Sequence, residues 1–155
     1  MIEIALYEPD IPQNTGTILR LGACLGVPVH IIEPTGFILD DKRLRRAGMD
    51  YLAHADWQRH DSWSAFAAWR AETGQRLLLL TVQGSVPHHQ YRYQAGDILL
   101  AGRESAGVPE AVHAAANGRV RVPMQPDLRS INVAMATALV VGEALRQTGG
   151  FDRLS

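Results

Sequence analysis

The sequence predicts an α/β fold, a mostly parallel sheet flanked by helices. Short apolar runs alternate with segments of helical apolar spacing along the whole chain, and a glycine stands just past almost every helical segment. At 155 residues, 46% of them hydrophobic and 20% charged, the composition is that of one globular domain, residues 1–155, with a real core.

The first strand is Ile2 to Tyr7, and a loop rich in proline leads from it to a helix over Thr15 to Leu25, with Asn14 as the cap and Gly26 past the end. Val29 to Ile32 is the next short apolar run and predicts the second strand. Asp40 opens a short helix to Ala47, closed by Gly48, and Asp61 opens a longer one over Ser62 to Thr73, closed by Gly74. Leu77 to Thr81 and Ile98 to Ala101 are further buried strands. Val108-Pro109 then starts a helix over Pro109 to Ala116, Gly118 follows it, and Arg119 to Val122 is the last strand. The final helix, Asn132 to Gln147 with Gly149 beyond it, carries apolar residues almost all round. Neighbouring helices or a symmetric partner must cover its second face.

A formal net charge of −1 removes any global nucleic-acid signature, so an RNA site has to be local. Cys24 is the one cysteine, which excludes an intramolecular disulfide and fits a reducing cytoplasm; its apolar neighbours predict core filling. The start of the chain has no basic, apolar and cleavable leader, and no apolar run approaches the roughly 18 residues that span a bilayer. A cytoplasmic protein without membrane attachment is expected.

Two glycine-bearing or polar loops follow buried strands, where ligands of parallel sheets bind. Gly102 to Gly107 is not a dinucleotide fingerprint, because Glu104 replaces its middle glycine, and no phosphate-binding loop occurs elsewhere. A ligand without phosphate is favoured, though the same loop also reads as a plain turn. The second loop carries Arg129, Ser130 and Asn132 just before the last helix, where Ser130 and Asn132 also read as helix caps. Near the N-terminus Arg20 projects from an apolar segment and either reaches a site or extends to solvent. Lys42, Arg43, Arg45 and Arg46 place four cations in five positions, either a phosphate-binding patch or a solvated helix face with an Asp41–Arg45 pair. The six histidines lack partners at metal-ligand spacing, so structural or surface roles are expected and no metal is. Ser130 lies in no nucleophile elbow.

Taken together, Pro12-Gln13-Asn14-Thr15-Gly16 with Arg20, Gly102-x-Glu104-x-x-Gly107-Val108-Pro109, and Val122-Pro123-Met124 followed by Arg129-Ser130-Ile131-Asn132 resemble the SPOUT methyltransferases. Ile31-Ile32-Glu33-Pro34, Gly36-Phe37 and the run Asp40 to Gly48 are similar to the small bacterial enzymes of that superfamily that methylate the ribose 2′-hydroxyl of the tRNA wobble nucleotide. The resemblance covers essentially the whole chain. It implies a deep trefoil knot near the C-terminus, a homodimer, and S-adenosylmethionine as methyl donor, held near Leu80, Gly102, Val122 and Ser130.

It further implies Arg20, Ser130 and Asn132 as catalytic residues, Glu104 as their organiser, and Lys42, Arg43, Arg45 and Arg46 as contacts to the substrate RNA. The substrate would be a cytidine or modified uridine at the wobble position, in leucine tRNAs. The resemblance links Arg20 to activation of the 2′-hydroxyl; since a free guanidinium stays protonated, Arg20 is expected to hold the adjacent phosphate and stabilise developing negative charge, with its action as a base left open. The competing expectation is a non-catalytic RNA-binding protein with the same fold. Thr17, Gly22 and Ala101 depart from residues common among such relatives.

Overall fold

The structure, a computed structural model, describes residues 1–40, 42, 52–128 and 130–155. Among these, the strands are β1 (Glu3–Tyr7), β2 (Val29–Ile32), β3 (Trp57–His60), β4 (Leu77–Leu80), β5 (Val86–Pro87), β6 (Ile98–Ala101) and β7 (Gly118–Arg121). The helices are α1 (Pro12–Leu25), α2 (Trp63–Thr73), α3 (Glu110–Ala115) and α4 (Val133–Thr148). The strands form one sheet in the order β3-β2-β1-β6-β4-β7-β5, and every pairing is parallel. All five expected strands are present. The two unanticipated ones are the edges: β3, Trp-Gln-Arg-His, exposes its middle residues, and β5 has two residues, so neither shows the apolar run of a buried strand.

Alternation along β1 divides the core. Ile4 and Leu6 face α1 and α4 in a cluster with Ile18, Leu19, Val140, Val141 and Leu145, while Ala5 and Tyr7 face Phe66 of α2 and Val112 of α3. On this second side His30 and His60 are buried and in contact, Nδ1 to Nε2 at 2.9 Å, with His30 Nε2 3.3 Å from Glu3 Oε1 and the Trp69 ring against both. These are structural histidines, as expected, and burial depresses the His60 pKa.

Several local expectations change. Asn14 does not cap α1: Pro12 at the first helical position starts the helix earlier, after Ile11, and Asn14 lies inside it, buried. Ser62, not Asp61, caps α2, accepting from the Ala65 N–H at 3.1 Å. Gly118 opens β7 instead of closing α3, which ends at Ala115. Cys24 is exposed and fills no core, because it shares the outward face of α1 with Gln13, Thr17 and Arg20 at helical spacing. Of the Asp40–Ala47 helix, Lys42 is helical and exposed, Asp40 precedes it, and the remainder with Gly48 lies outside the described residues. One face of α4 is buried through Ala134, Thr137, Val140, Val141, Ala144 and Leu145, whereas Met135 and Leu139 are 66% and 49% exposed, so a single chain covers half of this apolar helix.

Gly22 sits in α1 for a packing reason. A Cβ there would lie 2.6 Å from the Val27 carbonyl oxygen and 2.7 Å from Val29 Cγ2, where the helix returns into β2. Gly22→Ala gains about 1 kcal/mol of helix propensity but overpacks against backbone at a cost of about 1–3 kcal/mol. Urea denaturation is expected to show a net loss of about 1 kcal/mol, and an increase in stability would contradict this packing.

Candidate active site

The sheet order reverses between β1 and β6: β2 and β3 extend one way from β1, and the later strands lie on the other side. Such a switch point opens a crevice beyond the carboxyl ends of the two strands. The loop after β1 (Glu8–Ile11) and the loop after β6 (Gly102–Pro109) meet there, and the segment before α4 closes over them.

The β6 loop is a tight turn, with Arg103 N–H to Gly107 O at 3.1 Å and Gly107 N–H to Arg103 O at 2.9 Å. Gly107 has φ +63°, and a Cβ on Gly102 would meet the Gly107 backbone at 3.0 Å, so both glycines are required by the turn. The turn and ligand-loop readings thus describe the same object, for it aims Glu104 into the crevice. Glu104 Oε2 accepts from the Asp10 N–H at 3.0 Å, and Oε1 lies 3.5 Å from the Asn14 amide nitrogen. Asn14 Oδ1 in turn accepts from Asn132 Nδ2 at 2.9 Å. Asn132 is also the α4 cap, its Oδ1 accepting from the Ala134 and Met135 N–H groups at 2.8 and 3.3 Å. One hydrogen-bonded line therefore joins three segments far apart in sequence.

Asp10 and Glu104 are a carboxyl pair. Burial, then the bond to Asp10, pushes the Glu104 carboxyl above its ordinary range; the bond from Glu104, then that from the Ser105 hydroxyl, holds Asp10 below its own. Arg103 leans over the Tyr7 ring, 5.4 Å from its centroid, and burial together with the neighbouring Glu8 pushes that phenol up to about 12.

Two clefts flank the segment Ser130 to Val133. The first lies beyond β4, β6 and β7 and has walls from Leu80, Ala101, Gly102, Val120, Val122 and Met124. These walls are mainly apolar, as those of small-molecule pockets are. The second is polar, lined by Asn14, Arg103, Glu104, Ser130 and Asn132. Leu80, Gly102, Val122 and Ser130, the expected cofactor residues, all line the first cleft; Ser130 and Asn132 line the second. Arg20 is brought to neither. It stands on the exposed face of α1. Arg129, Arg43, Arg45 and Arg46 lie outside the described residues. Sequence reasoning missed Asp10 and gave Asn14 the wrong task; no spacing rule pairs Asp10 with a glutamate 94 positions away.

Residues 1–142 match the family model described as the SpoU rRNA Methylase family. The chain belongs to the SpoU family. A relative from Beijerinckia indica subsp. indica, named tRNA (cytidine(34)-2′-O)-methyltransferase, is 58% identical over 151 residues, covering 97% of this chain and 94% of that protein. A solved structure described as giving structural insights into the 2-OH methylation of C/U34 on tRNA superposes with a TM-score of 0.88 at 41% identity, covering 95% of each chain. Another, an AdoMet-bound rRNA methyltransferase from Sinorhizobium meliloti, gives a TM-score of 0.87 at 26% identity, covering 99% of this chain and 57% of that one. The resemblance drawn from the three loops and the α/β architecture are both borne out.

Within this SpoU fold the Asn14–Asn132 bond ties α1 to the start of α4. Asn132→Ala is expected to cost about 1–2 kcal/mol through the lost cap. A denaturation cycle with Asn14→Ala should show a coupling of at least about 0.5 kcal/mol; strict additivity would mean the amide contact contributes nothing.

Proposed function

We propose that this chain, as one domain of residues 1–155, transfers the methyl group of S-adenosylmethionine to the ribose 2′-hydroxyl of the tRNA wobble nucleotide, a cytidine or modified uridine, in leucine tRNAs. The observation that carries this is the pair of clefts with Ser130 to Val133 as their shared wall: an apolar pocket for the donor beside a polar cleft for the ribose. The named activity of the Beijerinckia relative and the AdoMet-bound neighbour support it.

The first cleft fits an adenosine-bearing ligand without phosphate. Leu80, Val120 and Val122 offer apolar surface at strand ends, Gly102 brings backbone close, and Arg121, the one arginine on its wall among the described residues, is held by hydrogen bonds to Ser85. When bound, the donor supplies a methyl group already activated by its sulfonium, so the protein's task is alignment. In the second cleft Ser130 and Asn132 orient the ribose, with Asn132 locked by its cap bonds and Asn14.

The assembly is a homodimer through the exposed side of α4, where Met135 and Leu139 are uncovered, together with the adjoining face of α1. Arg20 projects from that face and serves the cleft of the second copy, holding phosphate and stabilising developing charge. Lys42, exposed, with Arg43, Arg45 and Arg46 grips the anticodon stem. The chain after β7 runs through the knot of the SPOUT fold. Among the described residues no helix is long and apolar enough to cross a membrane, in keeping with a cytoplasmic site of action.

Incubation with labelled S-adenosylmethionine and tRNA should give a methylated wobble nucleotide whose 3′ linkage resists alkali. Labile linkages throughout would exclude ribose methylation, and tRNA binding without any turnover would identify a non-catalytic RNA-binding protein. Arg20→Ala should abolish turnover while calorimetric S-adenosylmethionine affinity stays within about twofold, and mixing it with Asn132→Ala should restore turnover in hybrid dimers. Equal loss of affinity, or mixtures as inactive as their parts, would remove Arg20 from the partner's site.

A further inference from the structure

We propose that the Asp10–Glu104 pair accepts the proton of the ribose 2′-hydroxyl, Glu104 being the catalytic residue that touches the ribose and Asp10 the positioning residue behind it. The inference rests on the function proposed above. Its basis is the inventory of the polar cleft. Among the described residues, the polar side chains that line it, beside the apolar Ile11, Ile131 and Val133, are Asn14, Ser130 and Asn132, which have no basic group, Arg103, whose guanidinium stays protonated, and Glu104. Glu104 is the one carboxylate on that wall among the described residues. Arg103 is also turned away, its Nε donating to Gly107 O at 3.0 Å and its guanidinium lying over Tyr7.

The proton balance suits a carboxylate. As the O2′–CH3 bond forms and the S–CH3 bond breaks, the S–C electron pair remains on sulfur as a neutral thioether and the ribose oxygen becomes positive. Its proton is then strongly acidic and passes to Glu104 Oε1 or Oε2, leaving the neutral methyl ether. Asp10 makes the transfer favourable. Its Oδ1 is buried and receives no hydrogen bond, among the described residues, from any other donor. A proton arriving on Glu104 relieves the repulsion between two adjacent carboxylates and makes Glu104 a donor to the Asp10 carboxylate. The pair is held for this exchange by the Asp10 N–H on Glu104 Oε2 and by the Ser105 hydroxyl on Asp10 Oδ2. Gly36 keeps the fit close: a Cβ there would lie 2.5 Å from Asp10 Cβ.

Among the described residues of one chain, the charged groups facing Glu104 are Asp10 from the β1–α1 loop and Arg103 from its own loop, which lies over Tyr7; α1 and α4 present the uncharged Asn14 and Asn132, and the Arg20 proposed to enter from the second copy stays protonated throughout. Glu104 must be ionised to accept, so turnover rises with pH through its pKa, which burial first and Asp10 second have raised. Removing the Asp10 charge moves that acid limb to lower pH and weakens the base. A merely structural Asp10 would change the rate without moving the limb.

The test is single-turnover methylation of tRNA against pH for the full-length protein, Glu104→Gln and Asp10→Asn, with a carboxyl 13C NMR titration of the unliganded proteins. Glu104→Gln is expected to lose about 10²–10⁴-fold in rate and to lose the acid limb while still binding S-adenosylmethionine and tRNA. Asp10→Asn is expected to shift both the limb and the Glu104 carboxyl resonance to lower pH. A wild-type acid limb persisting in Glu104→Gln, or an unmoved Glu104 resonance in Asp10→Asn, overturns the proposal. The NMR arm reads the pair in the absence of turnover, so failure of the methyltransferase reading, seen as a wild type that forms no 2′-O-methyl product, is distinguished from failure of this one.

Discussion

Everything at the mouth of this sheet depends on one hydrogen-bonded line, Asp10–Glu104–Asn14–Asn132. It joins the loop after β1, the turn after β6 and the start of α4, which the chain delivers from separate regions of sequence. Polar groups withdrawn from water are costly unless each finds a partner, so loss of one member strands its neighbours. That penalty gives three short loops a single arrangement.

The surrounding architecture supplies what such a line needs. Parallel strands hold the carboxyl ends of β1, β4, β6 and β7 at fixed spacing, the first three of them buried on both faces, and α4 runs back across the sheet with its cap residue at the rim. Asn132 shows the economy of the design, since one amide both starts a helix through its oxygen and fixes Asn14 through its nitrogen. The same segment divides the apolar cleft from the polar one, so orienting the helix also sets the distance between the two clefts.

Much of this was legible in the sequence because buried parallel strands advertise themselves. Leu77 to Leu80 and Ile98 to Ala101 leave no other reading, and the glycines at 26, 74 and 149 mark real helix ends, each with a positive φ. Edge strands were illegible for the opposite reason, as β3 has no apolar face and β5 no length. Leu80, Gly102, Val122 and Ser130 were expected at the cofactor through family resemblance alone, and the convergence of the first three on one pocket follows from parallel strands ending together. Asp10 was invisible, because a carboxylate acquires a second carboxylate as its neighbour only through the fold. Cys24 was misread since its apolar neighbours along the chain point elsewhere around the helix.

The central claim is that the methyl donor and the ribose occupy the two clefts on either side of Ser130 to Val133. A crystal structure of the protein with S-adenosylhomocysteine and an anticodon stem-loop tests it most directly. The account predicts the thioether beside Leu80, Gly102 and Val122, and the wobble 2′-oxygen about 3 Å from a Glu104 carboxylate oxygen, within hydrogen-bond reach. A wobble ribose bound elsewhere, with Glu104 facing only solvent or Asp10, would contradict it.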